Sequence, residues 1–85
     1  MTASYSLFLK PSVERDIRGF PRKDAQRIDA RLLELKEDPR PLGCKKLSGK
    51  DQYRIRQGDY RILYTVDDEL HIVRVFQIVH RRDAY

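Results

Sequence analysis

The chain has little of what several protein classes require. Cys44 is the single cysteine among 85 residues, so neither an internal disulfide nor a cysteine-based zinc site is possible. Its neighbours form no recognisable catalytic context, which favours a structural cysteine over a nucleophile. No apolar run approaches the roughly 20 residues that span a bilayer, and the first residues lack a signal-peptide pattern. These absences predict a cytoplasmic protein without a membrane segment.

Positive charge is what the chain has in excess. Lys and Arg number 18 against 13 Asp and Glu, which gives a formal net charge of +5. Residues 1–39 carry eight basic and seven acidic side chains, whereas residues 40–85 carry ten and six. A basic second half suggests a polyanionic partner such as nucleic acid, although solubility alone can explain such an excess. The positions of the charged residues have to distinguish a nucleic-acid partner from solubility alone.

Length and patterning predict one α+β domain over residues 1–85. Pro11 begins a first helix, and a second runs over residues 23–36 and ends before Pro39. Strands are predicted at residues 5–9, 53–57, 60–66 and 70–79, where apolar residues alternate or run together. The order β-α-α-β-β-β predicts a mostly antiparallel sheet of about four strands, with a helical hairpin packed on one face.

The second and third of these strands form a hairpin whose register can be inferred. Gly58-Asp59 is a plausible two-residue turn, with glycine first as a type II′ turn prefers. Arg56 then lies directly opposite Arg61. Because side chains alternate along a strand, Arg54, Arg56 and Arg61 share one face, and the hydrophobic residues share the other. We expect the arginines on the face opposite the helices.

Two arginines that face each other on a sheet repel. A sequence selected only for stability would place a carboxylate or a threonine at one of these positions. The planar fork of arginine suits phosphate, so this pattern favours an anion site over a solvated sheet face.

The residues after the last strand extend this cluster. Arg81 is placed to reach the same phosphate, and His80 is of the residue type that acts as an acid or base near neutral pH. Tyr85 is of the type that stacks on unpaired RNA bases.

Three stretches together resemble the RelE/ParE superfamily of toxins, over nearly the whole chain. They are residues 45–49, the run Tyr-Arg-Ile-Arg-Gln-Gly-Asp-Tyr-Arg-Ile-Leu-Tyr at 53–64, and His-Arg-Arg at 80–82 with Tyr85. The resemblance is closer to RelE-like members, which cut mRNA in the ribosomal A site. ParE-like members share the fold but poison DNA gyrase without cutting RNA.

The RelE resemblance implies an active site whose roles fall on five positions: Arg54, Arg56, Arg61, Arg81 and Tyr85. It also implies phosphate contacts from Lys45, Lys46 and Arg82. The familiar RelE pattern has lysines where this chain has Arg54 and Arg56. Arginine is effectively always protonated, which leaves His80, Tyr85, or the substrate and ribosome to accept a proton.

The resemblance further implies a toxin of a type II toxin–antitoxin system that needs no cofactor. Its partners would be the ribosome, mRNA and a cognate RelB-like antitoxin with an acidic segment that wraps the toxin. The 2′-hydroxyl of RNA would attack the adjacent phosphorus without help from a metal, and no Asp, Glu and His constellation argues for one. A gyrase poison and a plain RNA-binding domain remain the alternatives.

Overall fold

A computed structural model of the chain describes residues 4–48 and 51–81, which form two helices and a five-stranded sheet. The elements in chain order are β1 (Ser6–Leu9), α1 (Pro11–Gly19), α2 (Arg22–Glu37), β2 (Lys45–Lys46), β3 (Gln52–Gln57), β4 (Tyr60–Asp67) and β5 (Ile72–His80). The strand order is β1-β5-β4-β3-β2. Only β1 with β5 is parallel among these pairs. The predicted α+β class is confirmed, and β2 is the strand beyond the expected four.

The two helices form the predicted hairpin. α1 begins at Pro11, where the missing N–H leaves no hydrogen bond unmade. α2 is one residue longer at each end than predicted and stops at Glu37, two residues before Pro39. Val13 of α1 is buried, as are residues 28, 32 and 35 of α2, whose spacing defines one helical stripe. Neither described helix is long and apolar enough to cross a membrane.

This helical hairpin covers one face of the sheet. The strand residues buried in the same core alternate along β3 and β4 and continue on β5: Tyr53, Ile55, Tyr60, Ile62, Tyr64, Val66, Val73, Val75 and Ile78. Successive side chains of a strand point to opposite faces, so the residues between these buried ones lie on the other side of the sheet. We call that side the open face.

A β-bulge interrupts the alternation of β5. Consecutive residues of β4 pair with Gln77 and Val75, which leaves Phe76 as an extra residue. Val75 and Ile78 are three positions apart, yet both are buried in the core. Every residue of β5 after Phe76 has therefore moved to the opposite face from the one that strict alternation would give it.

β5 also begins later than predicted. The expected strand started at Leu70, but Leu70 lies in the turn after β4 and is exposed. His71 adopts a left-handed conformation with φ of 56°, which ends any extended run at that point. Pairing with β1 starts at Ile72, and β5 continues to His80, one residue beyond the expected end.

Arg40 ties the connection after α2 to the sheet. Its guanidinium donates to both carboxylate oxygens of Asp68, at 3.1 and 2.8 Å, and its Nε donates to the Tyr53 hydroxyl at 2.9 Å. The Tyr5 hydroxyl also donates to Asp68, at 2.7 Å. The hydrogen bonds from Arg40 and Tyr5 lower the pKa of the Asp68 carboxyl. The stabilisation that this carboxylate contributes is present above its ordinary pKa, and it is lost as pH falls through the lowered value.

We predict that Tyr64→Phe destabilises the fold by removing a buried hydroxyl group. Tyr64 is fully buried, and its hydroxyl donates to the buried carbonyl oxygen of Pro39 at 2.6 Å. Phenylalanine fills the same space but leaves that carbonyl without a donor, so the free energy of unfolding should fall by about 1–3 kcal/mol. Urea unfolding of both proteins measures the difference. Tyr5→Phe is the control, because its hydroxyl bond is exposed and should contribute far less; equal losses would contradict this account.

Candidate active site

Three arginines of the β3–β4 hairpin lie on the open face. Arg56 pairs with Arg61 across the turn, as predicted, and Arg54 lies two residues further along β3. The turn falls at Gly58-Asp59, and Gly58 has a φ of 59°, which glycine adopts without a steric penalty. The predicted register is therefore confirmed, and none of the three arginines is packed beneath the helices.

The pair at the centre of this face brings two like charges together. Arg56 is exposed and Arg61 is half-buried, so both side chains stand over the open face rather than in the core. Directly opposite like charges destabilise a sheet. A phosphate placed between two guanidinium groups removes that repulsion and gains charge-assisted hydrogen bonds, which makes this pair a candidate anion site.

Arg81 lies on the same face as Arg56 and Arg61 because of the bulge in β5. Val79 pairs with Arg61, and the main-chain N–H of Arg81 donates to the Asp59 carbonyl at 2.7 Å. Without the extra residue Phe76, positions 79 and 81 would follow Val75 onto the core face. The bulge instead directs Arg81 to the side where Arg61 lies.

A shallow cleft of about 190 Å³ marks the place where these residues meet. Three arginines and one aspartate are among the residues that line it, which are Arg56, Gly58, Asp59, Tyr60, Arg61 and Arg81. The Asp59 carboxylate lies 3.8 Å from Nη1 of Arg81, and both side chains are largely exposed. From the sequence, Asp59 was interpreted only as a turn residue. Its position directly beside Tyr60-Arg61 was the signal that could have placed it in the cleft.

The structure separates the two lysines that were predicted to contact phosphate. On β2, Lys45 pairs with Arg54 and Lys46 pairs with Tyr53. Cross-strand partners share a face, so Lys45 extends the arginine row on the open face. Lys46 lies on the other side, at the edge of the sheet beside a core tyrosine.

His80 also lies away from the arginines. It pairs with Tyr60 on the helix-covered side, and the two rings meet edge to face at 4.9 Å. Tyr60 donates its hydroxyl to Asp24 of α2 at 2.9 Å. Burial, and then this hydrogen bond, raise the pKa of the Tyr60 phenol. The predicted acid or base at His80 therefore does not line the arginine cleft.

Two residues of the expected site, Arg82 and Tyr85, lie outside the described residues, so their roles stay predictions. Within residues 4–48 and 51–81, no group of three or more His, Cys, Asp or Glu side chains is arranged to hold a metal ion.

A protein-family model matches the chain over residues 7–85; it describes the ParE toxin of the type II toxin–antitoxin system parDE. The match covers nearly every element of the fold, including the whole arginine cleft. This chain belongs to the RelE/ParE toxin superfamily.

Individual members of the superfamily that resemble this chain carry the name RelE. The toxin RelE of Mycobacterium tuberculosis is 30% identical over 95% of this chain and 86% of its own length. The crystal structure of the RelE–RelB complex from Pyrococcus horikoshii gives a TM-score of 0.85 at 26% identity, covering 95% of this chain and 97% of that one. The intact RelBE toxin–antitoxin complex of E. coli gives 0.80 at 25% identity, covering 91% and 96%.

We predict that inorganic phosphate stabilises this RelE/ParE protein by binding at the arginine cleft. At ten times its Kd, a ligand of the native state adds about 1.4 kcal/mol of stability, a rise in Tm of roughly 5–10 °C for a domain of this size. Arg56→Gln should reduce that rise. Arg15→Gln on the exposed side of α1 is the control and should leave the rise unchanged. For each variant the reference Tm is measured in chloride of equal ionic strength. Identical phosphate responses of the two variants would remove the anion site.

Proposed function

We propose that this RelE/ParE toxin is a ribosome-dependent endoribonuclease that cuts mRNA in the ribosomal A site and so inhibits translation. The observation that carries the proposal is the single cleft lined by Arg56, Arg61 and Arg81. A shallow cavity with three guanidinium groups suits one phosphodiester better than an extended polyanion. The names of the RelE relatives support the same assignment.

The proposed reaction is an internal transfer at phosphorus. The 2′-oxygen of RNA forms a bond to the adjacent phosphorus while the bond to the 5′-oxygen of the next nucleotide breaks. The products are a 2′,3′-cyclic phosphate and a 5′-hydroxyl end. Extra negative charge develops on the non-bridging oxygens in the transition state, where preorganised cations are most effective. In our proposal Arg61 and Arg81 are these cations, so the mechanism draws on no metal or cofactor.

Other residues take supporting roles. Arg54 and Lys45 continue the basic row along the open face, so we assign them to phosphates beside the reacting one. Tyr85 remains our candidate for stacking on a base, and Arg82 for a further phosphate contact. We assign neither Lys46 nor His80 to the reacting phosphate, since both belong to the opposite side of the sheet.

A cognate antitoxin is the second partner that we propose. The relatives from P. horikoshii and E. coli were crystallised as complexes of RelE with RelB. We infer that a RelB-like antitoxin with an acidic, partly disordered segment folds as it wraps this basic surface. Ribosomes, mRNA and this antitoxin together imply a cytoplasmic site of action.

One observation favours a second candidate function. The family model that matches the chain is named for ParE rather than RelE. A ParE-like protein would use the same fold to bind DNA gyrase and would perform no chemistry on RNA. The arginine cleft would then be a binding surface only.

We predict that Arg61→Ala and Arg81→Ala each abolish most of the mRNA cleavage on programmed ribosomes. Losing one well-placed transition-state donor typically costs on the order of 10²–10³ in rate, and the loss should appear in single-turnover measurements because it affects the chemical step. Arg15→Ala on α1 is the matched control and should cleave like the parent. Full activity of both cleft variants would refute the assignment. A parent protein that leaves mRNA intact but traps gyrase on DNA would establish the second candidate instead.

We predict that toxin–antitoxin affinity falls as salt concentration rises. Exposed charge pairs are screened, with a Debye length of about 10 Å at 0.1 M salt and about 3 Å at 1 M. Titration calorimetry of the cognate pair between these concentrations measures the slope, and Lys45→Gln on the open face should make it shallower. An affinity that does not change with salt would show that apolar contacts dominate the interface.

A further inference from the structure

The proposed cleavage needs a proton acceptor that the arginines cannot supply. The attacking 2′-hydroxyl must lose its proton as its oxygen bonds to phosphorus. Guanidinium groups are not deprotonated in proteins, so Arg56, Arg61 and Arg81 can stabilise charge but cannot accept a proton. A different group has to do so, and the first place to search is the cleft itself.

Among the described residues that line this cleft, one residue carries a carboxyl group, which can accept a proton. That residue is Asp59. Resting on the endoribonuclease function proposed above, we propose that Asp59 is the general base, and that its carboxylate accepts the proton of the attacking 2′-hydroxyl.

The position of Asp59 suits this role. The turn puts it at the tip of the β3–β4 hairpin, where 64% of its side chain is exposed and open to a substrate. Its main chain is fixed by the 2.7 Å hydrogen bond that its carbonyl accepts from Arg81. Its carboxylate lies 3.8 Å from the Arg81 guanidinium, so base and phosphate-binding cation are neighbours.

The other titratable group of the cleft is a poor base. The Tyr60 hydroxyl already donates to Asp24, and burial raises the pKa of the phenol, so Tyr60 stays protonated at neutral pH. His80 stands edge-on against Tyr60 on the helix-covered side and is absent from the lining of the cleft.

The step balances without a co-reactant. Asp59 takes the proton, the O2′–P bond forms, the P–O5′ bond breaks, and the departing 5′-oxygen takes a proton from water. The carboxylic acid then returns its proton to solvent. A carboxylate beside a phosphate repels it, and the strength of this repulsion depends on the charged groups around Asp59. These groups are Arg56 on β3, Arg61 on β4, Arg81 after β5, and Asp24 and Arg27 of α2, which line a smaller neighbouring cleft.

This repulsion makes Asp59→Asn a sharp test. Asparagine is equally suited to the turn, and it removes one negative charge from an anion site. We expect the single-turnover cleavage rate on programmed ribosomes to fall by about 10²–10⁴-fold, while phosphate and toxin–ribosome binding stay unchanged or tighten. The pH profile of single-turnover cleavage should differ in shape between the parent and the variant, because the variant lacks the proton-accepting group. Glu69→Gln, the same charge change in the turn after β4, is the control.

Each other outcome overturns the inference in a recognisable way. If Asp59 only holds Arg81 in position, Asp59→Asn weakens phosphate binding and leaves the shape of the pH profile unchanged. If the parent cleaves mRNA and Asp59→Asn is fully active, Asp59 is not the general base, and the proposed function still stands. A parent that does not cleave mRNA removes both. Asp59→Glu, which keeps the carboxylate, should recover part of the activity only if the group acts as a base.

Discussion

The buried face of the β3–β4 hairpin constrains everything on its exposed face. Tyr53, Ile55, Ile62 and Tyr64 pack under the helices, and burying a large apolar side chain contributes about 1.5–3 kcal/mol. A one-residue slip would exchange this set with the arginines. The repulsion across one strand pair is smaller, below roughly 1 kcal/mol. Core burial therefore outweighs the unfavourable contact of Arg56 with Arg61 and holds both where a phosphate can meet them.

The helices hold this hairpin at two separated points. Near the turn, α2 accepts a hydrogen bond from Tyr60 through Asp24, and Phe20 packs against the same ring. At the far end, the connection after α2 accepts a hydrogen bond from Tyr64, and Arg40 reaches Asp68. A site built on strands fixed at both ends keeps its geometry better than one carried on a loop. The arginine cleft is thus supported by hydrogen bonds and ring contacts from the helix-covered side of the sheet.

Period-two alternation along the strands made much of the fold and of the candidate site predictable. It correctly assigned the faces of β3 and β4, and helical spacing identified the core residues of α2. Two features escaped that logic. β2 has only two residues, too few to show any alternation. The bulge at Phe76 adds a residue without changing the apolar character of β5, and it reverses the faces of everything after it. Consecutive residues lie on opposite faces in any case, so the bulge decides that Arg81 rather than His80 faces the arginines, and pairing with β3 decides the same for Lys45 rather than Lys46.

The sheet order has a consequence for the time at which the arginine cleft can form. β5 is synthesised last among the strands, yet it lies between β1 and β4, and β1 has no other neighbour in the described sheet. A nascent chain that still lacks β5 can close the β3–β4 hairpin but cannot close the sheet or bring in Arg81. Contacts this distant in sequence form slowly. Folding order therefore delays the assembly of the arginine cleft until translation has passed β5.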